Sequence, residues 1–299
     1  MIAAGIDLGG SKIETRLFDE EWQLAHSRRR ATPGDYGALL TALLEELRWI
    51  FETGGKVPVG LGTAGLLDPV SGHMIAANLP ISGRNLLSDL DESWGPVSLV
   101  NDAQAFALSE AAFGAARGAK SAAGVILGTG VSAGFIGGDR LAGGYSAASG
   151  EVGHLAAPAH LVGQFDLPVH ACGCGRTGCV ETYISGPGLA GLARHMTGTE
   201  LSSETIGKRR AEPALAPIWS LWCALTAEML MGLVCTVDPE VIVLGGGLSR
   251  IVDVERDLGA ALSRAQIAGL RTPEIRIAEG GDASGARGAA LAAWQAAHG

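Results

Sequence analysis

Ile2-Ala3-Ala4-Gly5-Ile6-Asp7-Leu8-Gly9-Gly10-Ser11-Lys12-Ile13-Glu14-Thr15-Arg16-Leu17-Phe18 is the stretch that decides the fold. Ile2 to Leu8 is an apolar run, Gly9-Gly10 is a turn, and Lys12 to Phe18 alternates polar and apolar side chains, the period of a strand with one wet face. Asp19 to Trp22 turns again, and Gln23 to Ala31 gives a third strand. Turns this short imply an antiparallel meander. Thr32-Pro33-Gly34-Asp35 then opens a helix whose Leu40, Leu43, Leu44, Leu47, Ile50 and Phe51 fall on one face.

Farther along, Val57 to Gly62 and Val97 to Val100 read as buried strands, and Ala103 to Ala116 as a helix. Ala122 to Leu127, the turn Gly128-Thr129-Gly130 and Val131 to Ile136 repeat the opening plan of strand, glycine turn and strand. Glu151 to Glu181 is loop-rich. The remainder reads as helical except for the strand Val241 to Leu244, the run Gly245-Gly246-Gly247 and the segment Glu274 to Ala278. Two halves that each open on a hairpin predict a duplicated α/β architecture, two lobes with a cleft between them.

Composition narrows the function. A chain of 299 residues holds two lobes of ordinary size, and 47% hydrophobic residues suffice for buried cores. The net charge is −9, and Arg28-Arg29-Arg30 is only a short basic run, which argues against a nucleic-acid partner. No basic region precedes the first apolar stretch, so no export signal is expected. Leu221 to Val237 contains Glu228 and is short for a membrane span, so it reads as a buried helix in a cytoplasmic protein. The 5 cysteines are an odd number, against a disulfide framework. Cys223 and Cys235 sit in an apolar helical pattern and are expected in the core.

Three motifs carry chemistry. At Asp7-Leu8-Gly9-Gly10-Ser11-Lys12 the turn has no side chains at its tip, so backbone N–H groups can reach phosphate oxygens. Ser11 adds a hydroxyl, Lys12 a positive charge, and Asp7 a carboxylate able to hold Mg²⁺ through water. One such turn fits an ordinary hairpin; with Gly128-Thr129-Gly130 and Gly245-Gly246-Gly247 it fits a bound nucleotide. Asn101-Asp102 ends a buried strand and starts a helix, where α/β proteins place ligand sites and where a helix N-terminus favours an ionised carboxylate. Asp102 is the candidate base, with helix capping as its alternative role. Finally, Cys172, Cys174 and Cys179, on small-residue turns, offer three thiolates. With His154 they make a closed tetrahedral set of the structural zinc type. His160 and His170 lie nearer in sequence and stay open as the fourth ligand.

Together these motifs resemble the ROK family (repressors, open reading frames, kinases), within the actin-like ATPase fold, also called ribonuclease H-like. The residues that carry the resemblance are Asp7 to Lys12, Asn101-Asp102, Gly128-Thr129-Gly130, Gly150-Glu151-Val152-Gly153-His154, Cys172 to Cys179 with Glu181, and Gly245-Gly246-Gly247. The resemblance implies an ATP- and Mg²⁺-dependent hexose kinase with Asp102 as base and zinc on His154 and the three cysteines. It implies nucleotide contacts from Gly5, Asp7, Gly9, Gly10, Ser11, Lys12, Gly128, Thr129, Gly130, Val131, Gly134, Gly245, Gly246 and Gly247. Sugar hydroxyls are expected on Asn101, Glu151, His154 and Glu181, under a loop around Gly65 and Asn78. The expected lobes are 1–117 with a terminal helix 285–299, and 118–284; a homodimer is expected.

Within the family, Ala76-Ala77-Asn78-Leu79-Pro80, Ser82-Gly83, Gly280-Gly281-Asp282-Ala283 and the long insertion that sets Cys172 18 positions after His154 are similar to the branch that phosphorylates the 6-hydroxyl of N-acetylglucosamine. A glucokinase or fructokinase is the alternative. A sugar-responsive repressor is disfavoured, because its DNA-binding winged helix would precede the first glycine turn. Three positions depart from the family pattern: Ser11 in place of threonine, Ser132 in place of glycine and Ala64 in place of proline. None removes a catalytic group.

Overall fold

The computed structural model describes residues 1–90, 96–146 and 148–299. Strands β1 (Ala3–Leu8), β2 (Lys12–Phe18) and β3 (Leu24–Ala31) form the expected antiparallel meander. Helix α1 (Tyr36–Gly54) follows, capped by Asp35, whose carboxylate accepts from the Ala38 N–H. Its buried stripe runs through Leu39, Leu43, Leu47 and Ile50, at steps of three and four residues. Phe51, placed on that face by spacing, lies off the stripe and is 44% exposed.

Next come β4 (Val59–Thr63), the small hairpin β5 (Leu66–Leu67) and β6 (Met74–Ile75), α2 (Leu86–Asp89), β7 (Val97–Asn101) and α3 (Asp102–Phe113). The sheet order is β3-β2-β1-β4-β7, with β4 parallel to both of its neighbours. Leu8 pairs with Thr63 and Thr63 with Asn101, so the chain leaves all three parallel strands at one edge. That edge is where an α/β sheet binds ligands.

The hairpin plan then recurs in β8 (Ser121–Leu127) and β9 (Val131–Gly137), which are antiparallel. After the short β10 (Arg140–Leu141) come α4 (Ala159–Gln164), α5 (Glu181–Ile184), α6 (Gly186–Thr197), α7 (Ser203–Lys208) and α8 (Ala216–Val237). Strand β11 (Val241–Gly245) pairs in parallel with β8, and helix α9 (Val254–Ala265) leads to β12 (Glu274–Ile277), parallel to β11. Helix α10 (Ser284–His298) ends the chain.

The chain divides into two compact units: Met1–Gly114 with Asp139–Ser149 and Gly280–Gly299, and Ala115–Gly138 with Gly150–Glu279. Asp139–Ser149, which a continuous second lobe from residue 118 would contain, groups with the first unit. There Gln295 donates to the Asp139 carbonyl and Gln104 to that of Ser149.

In the first unit α10 lies backbone-to-backbone on the sheet. A Cβ on Gly5 would stand 1.8 Å from the Ala286 carbonyl oxygen, one on Gly60 1.8 Å from that of Ala289, and one on Gly288 1.7 Å from that of Ala105 in α3. Only glycine permits approaches this close. In the second unit α8 is the central helix. It is long and apolar enough to cross a membrane, yet 72% of its most apolar window is buried inside the fold. Trp222 on it is fully buried, and its indole N–H donates to the Ile184 carbonyl, so the ring leaves no polar atom unpaired. Cys223 is buried as expected, its thiol pushed up to about 12 by burial. Cys235 is exposed instead, because the last turn of α8 emerges from the core.

Candidate functional site

In the first unit the Gly9-Gly10 turn is fixed at both ends. The Gly9 N–H donates to the Lys12 carbonyl at 3.0 Å, and the Thr32 hydroxyl donates to the Gly9 carbonyl at 2.6 Å. Ser11 and Gly10 are exposed, leaving the tip of the turn open. Asp7 closes β1 with its carboxylate on the bare backbone of Gly285, in the first turn of α10, where a Cβ would come within 2.8 Å. Lys12 does not aim past the turn: its ammonium sits 3.2 Å from Glu14. Burial works against charge on Glu14, but hydrogen bonds from Arg16, Arg29 and Lys12 outweigh it and hold the carboxyl below its usual range.

Asn101 and Asp102 occupy the same sheet edge. Asn101 is the N-cap of α3: its Oδ1 accepts from the Ala103 N–H at 2.9 Å and its Nδ2 donates to the Gly65 carbonyl at 3.3 Å. Asp102 is therefore the first helical residue rather than the cap, with Oδ1 2.8 Å from the Ala103 N–H. Gly65 is packed against the Ile75 carbonyl and the Ala76 methyl, and the Asn78 carbonyl lies 3.5 Å from where a Gly10 Cβ would stand. The structure thus gathers the turn, Gly65, Asn78, Asn101 and Asp102 along one rim of this unit. Gly5 is not part of it: it sits mid-strand under α10.

In the second unit the Gly128 N–H closes its turn on the Gly130 carbonyl at 3.0 Å, and its carbonyl accepts from Gly186 at 2.8 Å. Gly246 lies beside this turn with φ of +85°, where a Cβ would meet the Leu127 carbonyl at 2.4 Å. The glycine run and the hairpin turn therefore touch. Gly134 is remote from the turn, opposite Gly124 inside the hairpin, and Gly245 is still in β11 opposite Ile126. The Val131 N–H is already engaged by Glu181 Oε2 at 3.3 Å.

Gly128, Thr129 and Gly247 line a cavity of about 950 Å³ with α6 residues Pro187 and Ala190, α7, and the segment from Gly247 to Val252. The sequence reading found its glycine floor and missed its walls. Those walls come from α6, α7 and the segment beyond Gly247, whose residues, Ser203, Gly207 and Ile251 among them, carry no motif.

The four residues His154, Cys172, Cys174 and Cys179 present ligand atoms all within 4.8 Å of one another. Cys174 Sγ and Cys179 Sγ are 3.6 Å apart, as are Cys172 Sγ and His154 Nδ1. Tetrahedral zinc with thiolate bonds near 2.3 Å separates its ligands by about 3.8 Å, so the donors fit the ion. Among the three histidines the geometry selects His154. His160 faces Glu228 at 3.6 Å, and the His170 ring packs on that of Tyr183.

Glu181 joins this cluster to the hairpin turn. Its Oε1 accepts from Cys172 Sγ at 3.0 Å and lies 3.4 Å from His154 Nδ1, while Oε2 takes the Val131 N–H. Glu151 Oε2 lies 3.4 Å from the other ring nitrogen of His154. Burial raises the Glu151 carboxyl above its usual range, with His154 pulling the other way. Burial likewise raises the Cys172 thiol, while the Arg176 N–H lowers that of Cys174.

Known proteins match this chain from end to end. An N-acetylgalactosamine kinase, AgaK, of Shewanella sp. (strain ANA-3) is 35% identical over 295 residues, covering 96% of this chain and 95% of that one. An N-acetyl-D-glucosamine kinase of Citrobacter koseri is 38% identical over 302 residues, covering 96% and 97%. The crystal structure of a ROK hexokinase from Thermus thermophilus superposes with a TM-score of 0.87 at 31% identity, covering 100% of this chain and 99% of that one. The ROK family model matches residues 3–296, and with it the actin-like α/β architecture is accounted for: the chain belongs to the ROK family.

Proposed function

We propose that the protein is an ATP-dependent sugar kinase that transfers the γ-phosphoryl of ATP to the 6-hydroxyl of N-acetylglucosamine, giving ADP and the 6-phosphate. The observation that carries this reading is Asn101-Asp102 at the carboxyl edge of β7, on the same rim as an open glycine turn. The Asp102 carboxylate takes the proton of the 6-hydroxyl as the new O–P bond forms and the bond to the ADP oxygen breaks. In the first unit Asn101 and the loop bearing Gly65 and Asn78 are assigned to sugar hydroxyls; in the second unit Glu151, His154 and Glu181 are assigned the same role. The 950 Å³ cavity over Gly128-Thr129 and Gly247 is assigned to the nucleotide. Asp7 is the carboxylate that would hold Mg²⁺, which would neutralise phosphate charge. The enzyme is proposed to act in the cytoplasm as a homodimer.

Zinc on His154, Cys172, Cys174 and Cys179 is the structural part of the proposal. Its four ligands leave no open position, so it fixes the segment between Glu151 and Glu181 rather than activating water. Cys174→Ser is expected to lose the metal and raise KM for the sugar about tenfold while the glycine hairpins survive. Elemental analysis finding undiminished zinc in that variant refutes the assignment.

N-acetylglucosamine is expected to exceed glucose in kcat/KM by about 30- to 1,000-fold, roughly 2–4 kcal/mol for a lost methyl contact and unpaired amide partners. The Shewanella relative favours one second reading, N-acetylgalactosamine, which differs in the orientation of the 4-hydroxyl. A coupled ADP-release assay over both amino sugars, N-acetylmannosamine, glucose, mannose and fructose decides. Glucose or fructose matching the amino sugars would leave a kinase with the wrong substrate class, and no sugar-dependent ADP release would remove the kinase.

A further inference from the structure

Arg210 lies just past α7, belongs to no motif, and borders the cavity with its guanidinium hydrogen-bonded to Gly207, Val252 and Asp257. We propose that Arg210 is a positioning residue that holds the two walls of the nucleotide cavity at their working separation and thereby sets the affinity for ATP. The proposal rests on the assignment of that cavity to the nucleotide.

One wall is α7, the other the segment from Gly247 to Val252. They meet where Gly207 faces Ile251: a Cβ on Gly207 would lie 2.6 Å from Ile251 Cδ1, so the walls are in contact along bare backbone. Arg210 straddles that contact. Its Nη1 donates to the Gly207 carbonyl at 2.8 Å and its Nη2 to the Val252 carbonyl at 2.5 Å, one bond to each wall. The guanidinium is itself oriented from behind. Its Nε donates to Asp257 Oδ2 on α9 at 3.2 Å, its plane lies 5.4 Å over the Trp219 ring on α8, and the Trp219 N–H donates to the same Asp257 oxygen at 3.0 Å.

Arg210 itself borders the cavity, but its side chain is only 18% exposed and its Nε, Nη1 and Nη2 are each directed at a protein acceptor, which makes it a strut. A planar group with donors in three directions suits this role, and a lysine ammonium on a flexible stem does not. Nothing in the strut touches the sugar-binding residues of this unit, so its effect is confined to the nucleotide.

The test is steady-state kinetics of Arg210→Lys, with ATP and sugar varied separately, and calorimetric Kd for ADP on the sugar-free enzyme. The expected result is KM for ATP and Kd for ADP raised about tenfold, with kcat and the sugar KM within about threefold of wild type. KM for ATP within twofold of wild type overturns the proposal, and so do both KM values rising together, which marks a general structural role. Arg210→Ala should move the same constants further; should it fail to fold, the lysine variant still decides. Ala190→Trp, which fills the cavity from α6, separates the two layers of the argument. If it leaves the ATP constants unchanged, the nucleotide assignment itself falls. If it weakens ATP while Arg210→Lys is silent, only the role of Arg210 falls.

Discussion

Asp102→Asn is expected to lower kcat by ~10²–10⁴, equivalent to ~3–5 kcal/mol of barrier, while the sugar Kd stays within a few-fold. The amide keeps an oxygen for the Ala103 N–H and the volume of the carboxyl, but cannot take the proton of the sugar hydroxyl. The fold has little at stake in the change. Asn101, not Asp102, caps α3, so the variant keeps the helix cap; the attraction between a first-turn carboxylate and the helix N-terminus that it gives up is about 0.3–1 kcal/mol. Stability and turnover are therefore separable in one variant. Stopped turnover with an unchanged melting curve identifies the base. A variant that keeps more than about a tenth of kcat shows that the proton leaves by another route.

The largest effect on stability is expected at Gly288→Ala. The added methyl carbon would stand 1.7 Å from the Ala105 carbonyl oxygen and 2.4 Å from its carbon, both backbone atoms that no rotamer change can move. Helices α3 and α10 must then separate, and α10 is held on its sheet side by the equally close approaches to Gly5 and Gly60. Overpacking of this kind costs about 3 kcal/mol or more, a loss of roughly 6–12 °C in melting temperature for a chain of this size. Gly259→Ala in α9 is the control. Nothing lies within 4 Å of its new methyl, and it should be neutral or stabilise by about 0.5–1 kcal/mol. A Gly288→Ala protein melting within about 2 °C of wild type would refute the close-packing account.

Local pattern was enough for the hairpins, for α1 and for the strand-to-helix junction at Asn101-Asp102, because each is written in consecutive residues. The His/Cys cluster was half legible. The cysteine spacing announced it, but the choice of His154 over His160 and His170 depends on how the loop folds back, which spacing does not encode. Other features were out of reach for the same reason. Gly5 looks like part of a phosphate turn in sequence and is a landing place for α10, 281 positions later at Ala286. Cys235 continues an apolar pattern yet emerges to solvent, since periodicity does not tell where a helix leaves its core. The walls of the cavity over Gly128-Thr129, and the contacts of Arg210 across them, are assembled from four helices and a loop, none carrying a local signal.

The bare backbone track beneath α10 also bears on how the chain emerges from the ribosome. Strands β1 and β4 and helix α3 are synthesised early, but the helix that covers Gly5, Gly60 and Ala105 is made only after all the other elements described above. At ~5–20 residues per second, about 10–40 s pass between the end of α3 and the end of α10. For that interval the nascent first unit exposes an apolar sheet face with no partner, while every element of the second unit has already been translated before α10 appears. Removal of α10 alone is therefore expected to leave the first unit unable to fold, because Gly5, Gly60 and Ala105 lose the helix that packs on them.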